Sequence, residues 1–298
     1  MWWSGRALGF DFESDGPVPT EARAITCAMV RMEPGTRMPP SVLEVMIQPE
    51  RDIPAEATAV HGITTERAMA EGLLREVAIP SIAATLAEAL GPEVPLVGHN
   101  VSYDLTLLDR EMRRLGVGLL CIEKDIFAQI QQVALVVGGK WLTTFPVIDT
   151  MVLDKAVDRY RPGKRKLEVT AQHYGVPMAE GSAHGATADV IASLRIAITI
   201  AQRAAVAEGG GIDTIARTYY AERRYPTEVA RAFASLGARS LPDLHCAQVR
   251  WAAEQADGLR EHFREHSEKG VDPADVRGDW PLIPLAENET VETIDTTI

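Results

Sequence analysis

Three short polar motifs contain the residues of this chain that could carry out chemistry. The first is Asp11-Phe12-Glu13, in which two carboxylates follow an apolar segment with one residue between them. On a β-strand, residues at this spacing lie on the same face, so both carboxylates project to one side. Two ionised acids this close repel each other unless a cation lies between them, and Mg²⁺ and Mn²⁺ prefer carboxylate oxygens. Taken alone, the pair is more typical of a solvated strand end.

The second motif follows a short apolar run that ends at Gly98, and it contains Asn100 and Asp104. Asp104 falls in the first turn of a predicted helix. An acid there also stabilises the helix dipole, so a capping role is the alternative. Asn100 adds a hydrogen-bonding amide at the same edge of the sheet. The motif therefore supplies a third carboxylate close to the end of a strand.

The third motif, H-x-A-x-x-D, joins His184 to Asp189 at the start of another predicted helix. A histidine in this position can exchange protons near neutral pH. The small residues between the two allow a substrate or a sheet to approach closely. A single histidine before a helix is more often a cap or a surface residue, so the other two motifs give this one its significance.

Short strands followed by helices must position these motifs. Residues 6–12, 24–31 and 42–48 are predicted strands with short connections, which indicates an antiparallel meander. Short apolar strands at 94–98 and 146–149 then alternate with helical patterns. Helices are predicted at 54–60, 65–72, 77–90 and 102–115, and from residues 150, 166 and 186. This order predicts an α/β fold with a mixed sheet covered by helices.

Two segments depart from this alternation. Residues 117–145 are predicted to be an insertion that forms a helix or a helix–hairpin. Three consecutive glycines at 209–211 predict a linker. We therefore expect a catalytic domain over residues 1–205 and a C-terminal helical extension over 206–284.

The C-terminal part of the chain carries none of the three motifs. Helical patterns occupy residues 212–220, 227–236 and 243–266, and 280–282 is predicted to dock on the rest of the protein. Residues 285–298 are acidic and predicted to be a disordered tail. The helices could bind a DNA polymerase, a second copy of the chain or only the catalytic domain.

Composition narrows the class of protein. The net charge of −12 argues against a protein that coats nucleic acid through bulk charge, but allows an enzyme that contacts a few phosphates through metal ions. The three cysteines are far apart and predict neither a disulfide framework nor a zinc site. No uninterrupted apolar run approaches the roughly 20 residues of a membrane helix, and the first residues lack a secretory signal. We expect a cytoplasmic protein that does not bind membranes.

Together, the three motifs resemble those of the DEDDh 3′–5′ exonucleases, a family of proofreading and RNA-trimming enzymes. Two smaller features agree with this resemblance, which covers about residues 6–203. His61-Gly62-Ile63 resembles the family's segment beside the terminal nucleotide, and Asp149 stands in an I-D-T strand end. Ser14 replaces the family's usual threonine after D-x-E but keeps the hydroxyl.

The resemblance implies a ribonuclease H-like fold, a mixed sheet of about five strands with helices on both faces. It also implies two bound divalent ions, Mg²⁺ or Mn²⁺, held by Asp11, Glu13, Asp104 and Asp189. His184 would act as the general base that removes a proton from the attacking water. The reaction would hydrolyse phosphodiester bonds from the 3′ end and release nucleoside 5′-monophosphates.

Other residues are expected to contact the substrate. Near the terminal nucleotide these are Phe12, Ser14, Glu56, His61 and Asn100. The basic segment 159–166 could guide the incoming strand through Arg161, Lys164 and Arg165, with Tyr160 available for stacking. A solvated basic loop is the alternative for this segment.

Several functions would fit these motifs. Among substrates, DNA, and single-stranded DNA in particular, is slightly favoured by analogy with epsilon-like proteins. RNA trimming and degradation of short oligonucleotides are the alternatives. A catalytically silent module that binds nucleic acid or a polymerase would be expected to lack an acid or the histidine, and all five are present. A purely structural protein would leave the three motifs as coincidence.

Overall fold

The computed structural model describes residues 2–34, 41–125, 130–178, 185–267 and 270–285. His184 and residues 286–298 of the predicted tail lie outside these ranges.

The described residues include eight strands and ten α-helices. The strands are β1 (Ala7–Ser14), β2 (Ala24–Met32), β3 (Ser41–Met46), β4 (Leu96–Gly98), β5 (Gly118–Asp125), β6 (Ile130–Val137), β7 (Lys140–Phe145) and β8 (Val147–Asp149). The helices are α1 (Ala55–His61), α2 (Thr65–Glu71), α3 (Arg75–Ala89), α4 (Ser102–Arg114), α5 (Thr150–Val157), α6 (Leu167–Tyr174), α7 (Ala186–Val206), α8 (Ile212–Tyr219), α9 (Pro226–Gly237) and α10 (Leu241–Glu265).

The central sheet has five strands in the order β3-β2-β1-β4-β8. Strands β1 to β3 are antiparallel, whereas β4 and β8 run parallel to β1. Alternate residues of β1 enter two different cores. Leu8 and Phe10 pack with residues of α3 and α4, and Ala7 packs with residues of α7. The predicted mixed sheet with helices on both faces is therefore confirmed.

The prediction of a helix or helix–hairpin over 117–145 was wrong. The described residues of this segment form a second, antiparallel sheet of β5, β6 and β7. Gly138 and Gly139 join β6 to β7, and their φ angles of +55° and +74° suit the left-handed positions of a tight hairpin turn. Val133 and Leu135 on β6 are buried in the main core, so the insertion is integral to the fold.

The glycines at 209–211 do not form an extended linker. A π-helical turn at Ala207–Gly211, kinked at Gly210 with φ of +96°, joins α7 directly to α8. Helix α9 lies against this junction so closely that a Cβ at Gly237 would stand 2.6 Å from the carbonyl oxygen of Ala204. The C-terminal helical region is present, and it packs on the part of the chain that precedes it.

Helix α10 covers the outer edge of the central sheet, at β8. The Val147 N–H donates to His245 Nδ1 at 2.9 Å, and the Asp149 N–H donates to Gln248 Oε1 at 2.8 Å. Gln248 Nε2 in turn donates to the Val147 carbonyl at 2.9 Å. These side chains satisfy the backbone groups that a neighbouring strand would otherwise pair with.

The helical stretch Ala186–Tyr219 is long and apolar enough, by length and composition alone, to cross a membrane. Within the structure 61% of its most apolar window is buried, and α7 packs on β1 and β2. Arg195 and Arg203 interrupt its apolar sequence. Its composition is that of a helix in the core of the fold.

Candidate active site

Strand β1 presents Asp11 and Glu13 on the face covered by α7. Gly9 lies on the same face, two residues before Asp11. A Cβ at Gly9 would stand 2.5 Å from Val190 Cγ1 and 2.8 Å from Leu194 Cδ1, both on α7. Glycine at this position therefore allows the helix to approach the strand and brings the start of α7 close to both carboxylates.

Asp189 lies in the first turn of α7 and completes a cluster with the two acids of β1. Ligand oxygens of Asp11, Glu13 and Asp189 all lie within 4.8 Å of one another. Thr187, in the same turn, donates to Glu44 Oε2 on β3 at 2.6 Å and so connects the start of the helix to the sheet.

Asp104 joins this cluster from the first turn of α4, which follows β4. It is 4% exposed, and its Oδ1 accepts from the backbone N–H of Phe12 at 2.9 Å. After burial, the charge of Asp104 also raises the pKa of Asp11. The four acids predicted from three motifs therefore converge at one place, where β1, α4 and α7 meet.

The acids of the cluster lie so close together that each one disfavours the charged form of its neighbours. Burial raises the pKa of Asp11 well above its ordinary value, and the charges of Asp104, Glu13 and Asp189 raise it further. Burial and the charge of Asp189 raise the pKa of Glu13 to about 8. Burial likewise raises the pKa of Asp104, although the hydrogen bond from Phe12 opposes the shift. Without a cation, the folded protein favours protonation of some of these groups.

The donor set fits hard divalent cations. All four side chains offer carboxylate oxygens, which Mg²⁺ and Mn²⁺ prefer, and no cysteine or histidine joins them within the described ranges. A divalent ion would relieve the repulsion that raises the pKa values of Asp11 and Glu13. The residues present therefore fit the cofactor expected from the sequence, a divalent metal.

Ser14 and Tyr103 form a hydrogen-bonded group beside the acids. Their hydroxyls lie 2.5 Å apart, the Ser14 hydroxyl donates to the Gly16 carbonyl at 3.0 Å, and Tyr103 also contacts that carbonyl. Burial raises the pKa of Tyr103 to about 12, so its hydroxyl stays protonated. Ser14 thus lies at the site, but its hydroxyl is already engaged in holding the chain after β1.

Phe12 requires a correction. Its ring is 5% exposed and packs edge-to-face on Phe10, with 5.1 Å between ring centroids. A side chain facing away from the two acids and buried in the core cannot contact a substrate. The contribution of Phe12 to the site is its backbone N–H, which positions Asp104.

His61 and Asn100 lie in the segments expected to face a nucleotide. His61 Nδ1 accepts from the Ile63 N–H at 3.1 Å, and burial lowers the pKa of this histidine, which favours the neutral ring. Asn100 is exposed, has a left-handed φ of +65°, and lines an open cavity of about 710 Å³ together with His99. Glu56 is exposed in the first turn of α1.

The basic segment after α5 also departs from expectation. Arg161 is 6% exposed, and its guanidinium donates to Asp154 Oδ2 at 2.9 Å. Arg165 contacts the same carboxylate and donates to the carbonyl of Asp158 at 2.8 Å. Arg161 is therefore an interior ion-pair partner, not a free phosphate ligand, and Arg165 is only partly available. Lys164 is exposed, as expected for a phosphate contact.

Asp149 has a positioning role that sequence reasoning did not identify. It is fully buried, and it accepts from the N–H groups of Asn100 at 3.0 Å and Val101 at 3.1 Å. It also caps α5 through Met151, and it accepts from Trp280 Nε1 at 3.1 Å. Asp149 thus joins the loop before Asp104 to the C-terminal segment. Its place directly before a helix was the available signal, because aspartate is a preferred N-cap.

The ribonuclease H-like sheet, with carboxylates gathered beside β1, defines a nuclease-type hydrolase. A family profile described as "RNase_T: Exonuclease" matches residues 8–197. Because this match covers more than half of the chain, the chain belongs to this family, the DEDDh-type exonucleases.

Individual relatives agree with this assignment. The chain is 28% identical over 185 residues to the DNA polymerase III subunit epsilon-like protein of Rhodobacter capsulatus. That alignment covers 62% of this chain and only 22% of the relative's length.

Two solved structures of exonuclease I share the fold. The zinc-bound form of E. coli exonuclease I in complex with single-stranded DNA is 19% identical, with a TM-score of 0.50 over 67% of this chain and 41% of that one. A second exonuclease I structure is 18% identical, with a TM-score of 0.50 over 71% of this chain and 46% of that one. This chain therefore matches less than half of each enzyme, and at these identities the likeness establishes the fold alone.

Proposed function

We propose that the protein is a 3′–5′ exonuclease that hydrolyses phosphodiester bonds from the 3′ end of a nucleic acid and releases nucleoside 5′-monophosphates. The observation that carries the proposal is the convergence of Asp11, Glu13, Asp104 and Asp189, three of which place ligand oxygens within 4.8 Å of one another. Membership of an exonuclease family supports the same reaction.

The four acids have the role of metal ligands in this proposal. They would hold two Mg²⁺ or Mn²⁺ ions, which supply charge stabilisation at a phosphodiester and lower the pKa of a bound water. The hydrogen bond from the Phe12 N–H to Asp104 and the contact of the Tyr103 hydroxyl with the Gly16 carbonyl fix the start of α4 relative to β1. His61, Asn100, Ser14, Glu56 and Lys164 remain proposed substrate contacts.

His184, which lies outside the described residues, is the proposed general base. Removing a general base typically costs about 10²–10⁴-fold in rate. His184→Ala should lower turnover by that order at saturating Mn²⁺ and leave metal affinity unchanged, and its pH–rate profile should lose or shift the rise seen in the wild type. A wild-type rate at pH 7 would remove His184 from the mechanism.

Single-stranded DNA is the substrate we favour. The support is analogy: the E. coli exonuclease I structure contains single-stranded DNA, and the Rhodobacter relative is described as epsilon-like. An association with a DNA polymerase is a weaker proposal from the same relative, and self-association through the C-terminal helices is its alternative. A cytoplasmic location is also proposed, on the composition of the chain.

Matched DNA and RNA oligonucleotides test the proposal. Each would be labelled at the 3′ or the 5′ end, in single- and double-stranded form, with Mn²⁺, Mg²⁺ or EDTA. We expect immediate loss of 3′ label as mononucleotide, progressive shortening of 5′-labelled strands and no reaction in EDTA. Release of 5′ label first, or full activity in excess chelator, would overturn the polarity or the metal mechanism respectively.

A further inference from the structure

A basic cavity of about 440 Å³ lies between the segment that follows α5 and helix α10. Four cationic side chains line it, and none of its described lining residues is an acid. The cations are Lys155, Arg159, Arg161 and Arg165. Such a concentration of positive charge stands out in a chain whose net charge is −12.

The charge of this cavity is only partly balanced within the protein. The Asp154 carboxylate contacts the guanidinium groups of Arg161 and Arg165, so a single negative charge serves two positive ones. Lys155, whose charge Asp149 and Asp154 partly balance, and Arg159 contribute further positive charge. The cavity is therefore electropositive, and its size and composition suit phosphate groups.

Helix α10 is shaped to admit Arg159. Gly258 lies in the interior of this 25-residue helix, where glycine costs roughly 0.5–1 kcal/mol relative to alanine. A Cβ at this position would stand 3.1 Å from Arg159 Nη2. The missing side chain leaves room for the guanidinium against the helix, so the C-terminal region forms one wall of the cavity.

An aromatic side chain stands at the same place. Tyr160 is 80% exposed, and the guanidinium carbon of Arg159 lies 5.9 Å from its ring centroid. Exposing a ring this fully to water has no benefit for packing. Cations that contact phosphates, combined with an aromatic ring on which a base stacks, are how proteins bind single strands without reading their sequence.

The basic cavity shares a lining residue with the open cavity that contains Asn100. Arg165 lines both of them, and the second cavity also includes His99 and Asn100. Asn100 precedes α4, the helix that carries Asp104 in its first turn. Arg165 thus connects the basic cavity to the loop before α4, because its carbonyl oxygen lies 2.7 Å from His99 Nε2 in that loop.

We propose that the cavity between α10 and the segment 155–165 binds backbone phosphates of the substrate strand upstream of its 3′ end, with a base stacked on Tyr160. The proposal rests on the proposed exonuclease function. It gives the C-terminal helices a role in holding long single strands, and it predicts that affinity rises with strand length.

A negative charge introduced into the cavity by mutation tests whether the cavity binds phosphates. Fluorescence anisotropy with the full chain in EDTA would measure binding of labelled oligothymidylates of 3 and 15 nucleotides over a range of salt concentrations. Gly258→Glu introduces a carboxylate opposite Arg159 and should fold, because glutamate is a better helix former than glycine. Ala253→Glu, on an exposed position of the same helix, is the matched control.

We expect Gly258→Glu and Arg159→Gln to weaken binding of the 15-mer by about tenfold and to lower its salt slope by about one, and to leave the trimer unaffected. Tyr160→Ala should weaken the 15-mer without changing the slope. Wild-type affinity and slope for the 15-mer in Gly258→Glu and Arg159→Gln would overturn the proposal, as would equal weakening of the trimer. If these variants bind normally while the wild type still degrades labelled DNA, the proposed role of the cavity is wrong and the proposed exonuclease function is unaffected.

Discussion

Two kinds of carboxylate are buried or partly buried in the protein, and they differ in the charged groups that surround them. Asp154 is fully buried and contacts the guanidinium groups of Arg161 and Arg165. Asp11 and Asp104 have other carboxylates as their charged neighbours, and within the described part of the chain neither forms an ion pair. The charge of Asp154 is compensated by two arginines, whereas the charges of Asp11 and Asp104 are repelled by neighbouring carboxylates.

This difference separates an acid with a structural role from the acids that are proposed to bind metal. A buried charge is tolerated when it is paired, and removing one partner leaves the other uncompensated. Acids such as Asp11 and Asp104, which have other carboxylates and no cation as charged neighbours among the described residues, destabilise the protein unless an external cation binds. Neutralising an acid of each group should therefore have opposite consequences for activity and for stability.

The largest expected effect is on turnover. Asp11→Asn keeps the volume of the side chain but removes a charged ligand, and electrostatic stabilisation by metal ions is worth several kcal/mol, about 10³-fold in rate. We expect at least that loss in a steady-state assay with Mn²⁺ and an end-labelled strand. Circular dichroism would serve as the control for folding. A rate within tenfold of the wild type would show that Asp11 is not a metal ligand.

The next largest effect is on stability at the paired acid. Asp154→Asn leaves two guanidinium groups with an uncharged partner, and breaking a buried pair in this way costs about 3–5 kcal/mol. Urea unfolding would measure the change in the free energy of unfolding. Asp213→Asn, in an exposed pair with Arg217, is the control and should change it by less than about 0.5 kcal/mol. Equal effects in the two variants would show that the buried ion pairs of Asp154 stabilise the protein no more than an exposed pair does.

A smaller effect is expected at acid pH, where His245 caps the edge of β8. Burial lowers the pKa of His245 to about 4. In the folded protein Nδ1 carries no proton, since it accepts a hydrogen bond from the Val147 N–H. Between pH 6.5 and 4 the unfolded chain binds a proton that the folded chain does not. Stability should therefore fall as pH is lowered through this window, by up to about 1.4 kcal/mol per pH unit from this group.

His245→Asn separates this contribution from those of other groups. Asparagine offers an acceptor to the Val147 N–H but does not titrate in this range. The free energy of unfolding should lose part of its dependence on pH between 6.5 and 4 in the variant. An unchanged dependence would show that His245 is not responsible for it.

Strand alternation and helix starts predicted where Asp11, Glu13 and Asp189 lie, whereas their role as metal ligands was predicted from the resemblance of the three motifs to an exonuclease family. Local patterns were not enough for residues 117–145, where a short apolar run such as that of β6 fits a helix or a strand equally well. The Gly138-Gly139 pair between two apolar runs was the better signal, since such pairs favour a hairpin turn.

The other features that could not be predicted depend on contacts between residues that are brought together only when the chain folds. The charge of Arg161 is visible in the sequence, but its pairing with Asp154 depends on how the turn after α5 folds back. The contact between Trp280 and Asp149 joins residues far apart in the chain. For the same reason the division at residue 205 stays a prediction. The bonds from His245 and Gln248 to β8 lead us to expect that a chain shortened there would lose stability.

Thermal unfolding of the wild type and Asp11→Asn, in EDTA and with Mn²⁺, tests the central claim most directly. In EDTA, removing one of several mutually repelling charges should leave the Tm of the variant equal to or above that of the wild type. Mn²⁺ should raise the Tm of the wild type, because binding to the folded state adds RT ln(1 + [Mn²⁺]/Kd) to its stability, and should raise that of the variant less. A wild-type Tm that Mn²⁺ does not change, or a lower Tm for Asp11→Asn in EDTA, would contradict the claim that these carboxylates form a divalent metal site.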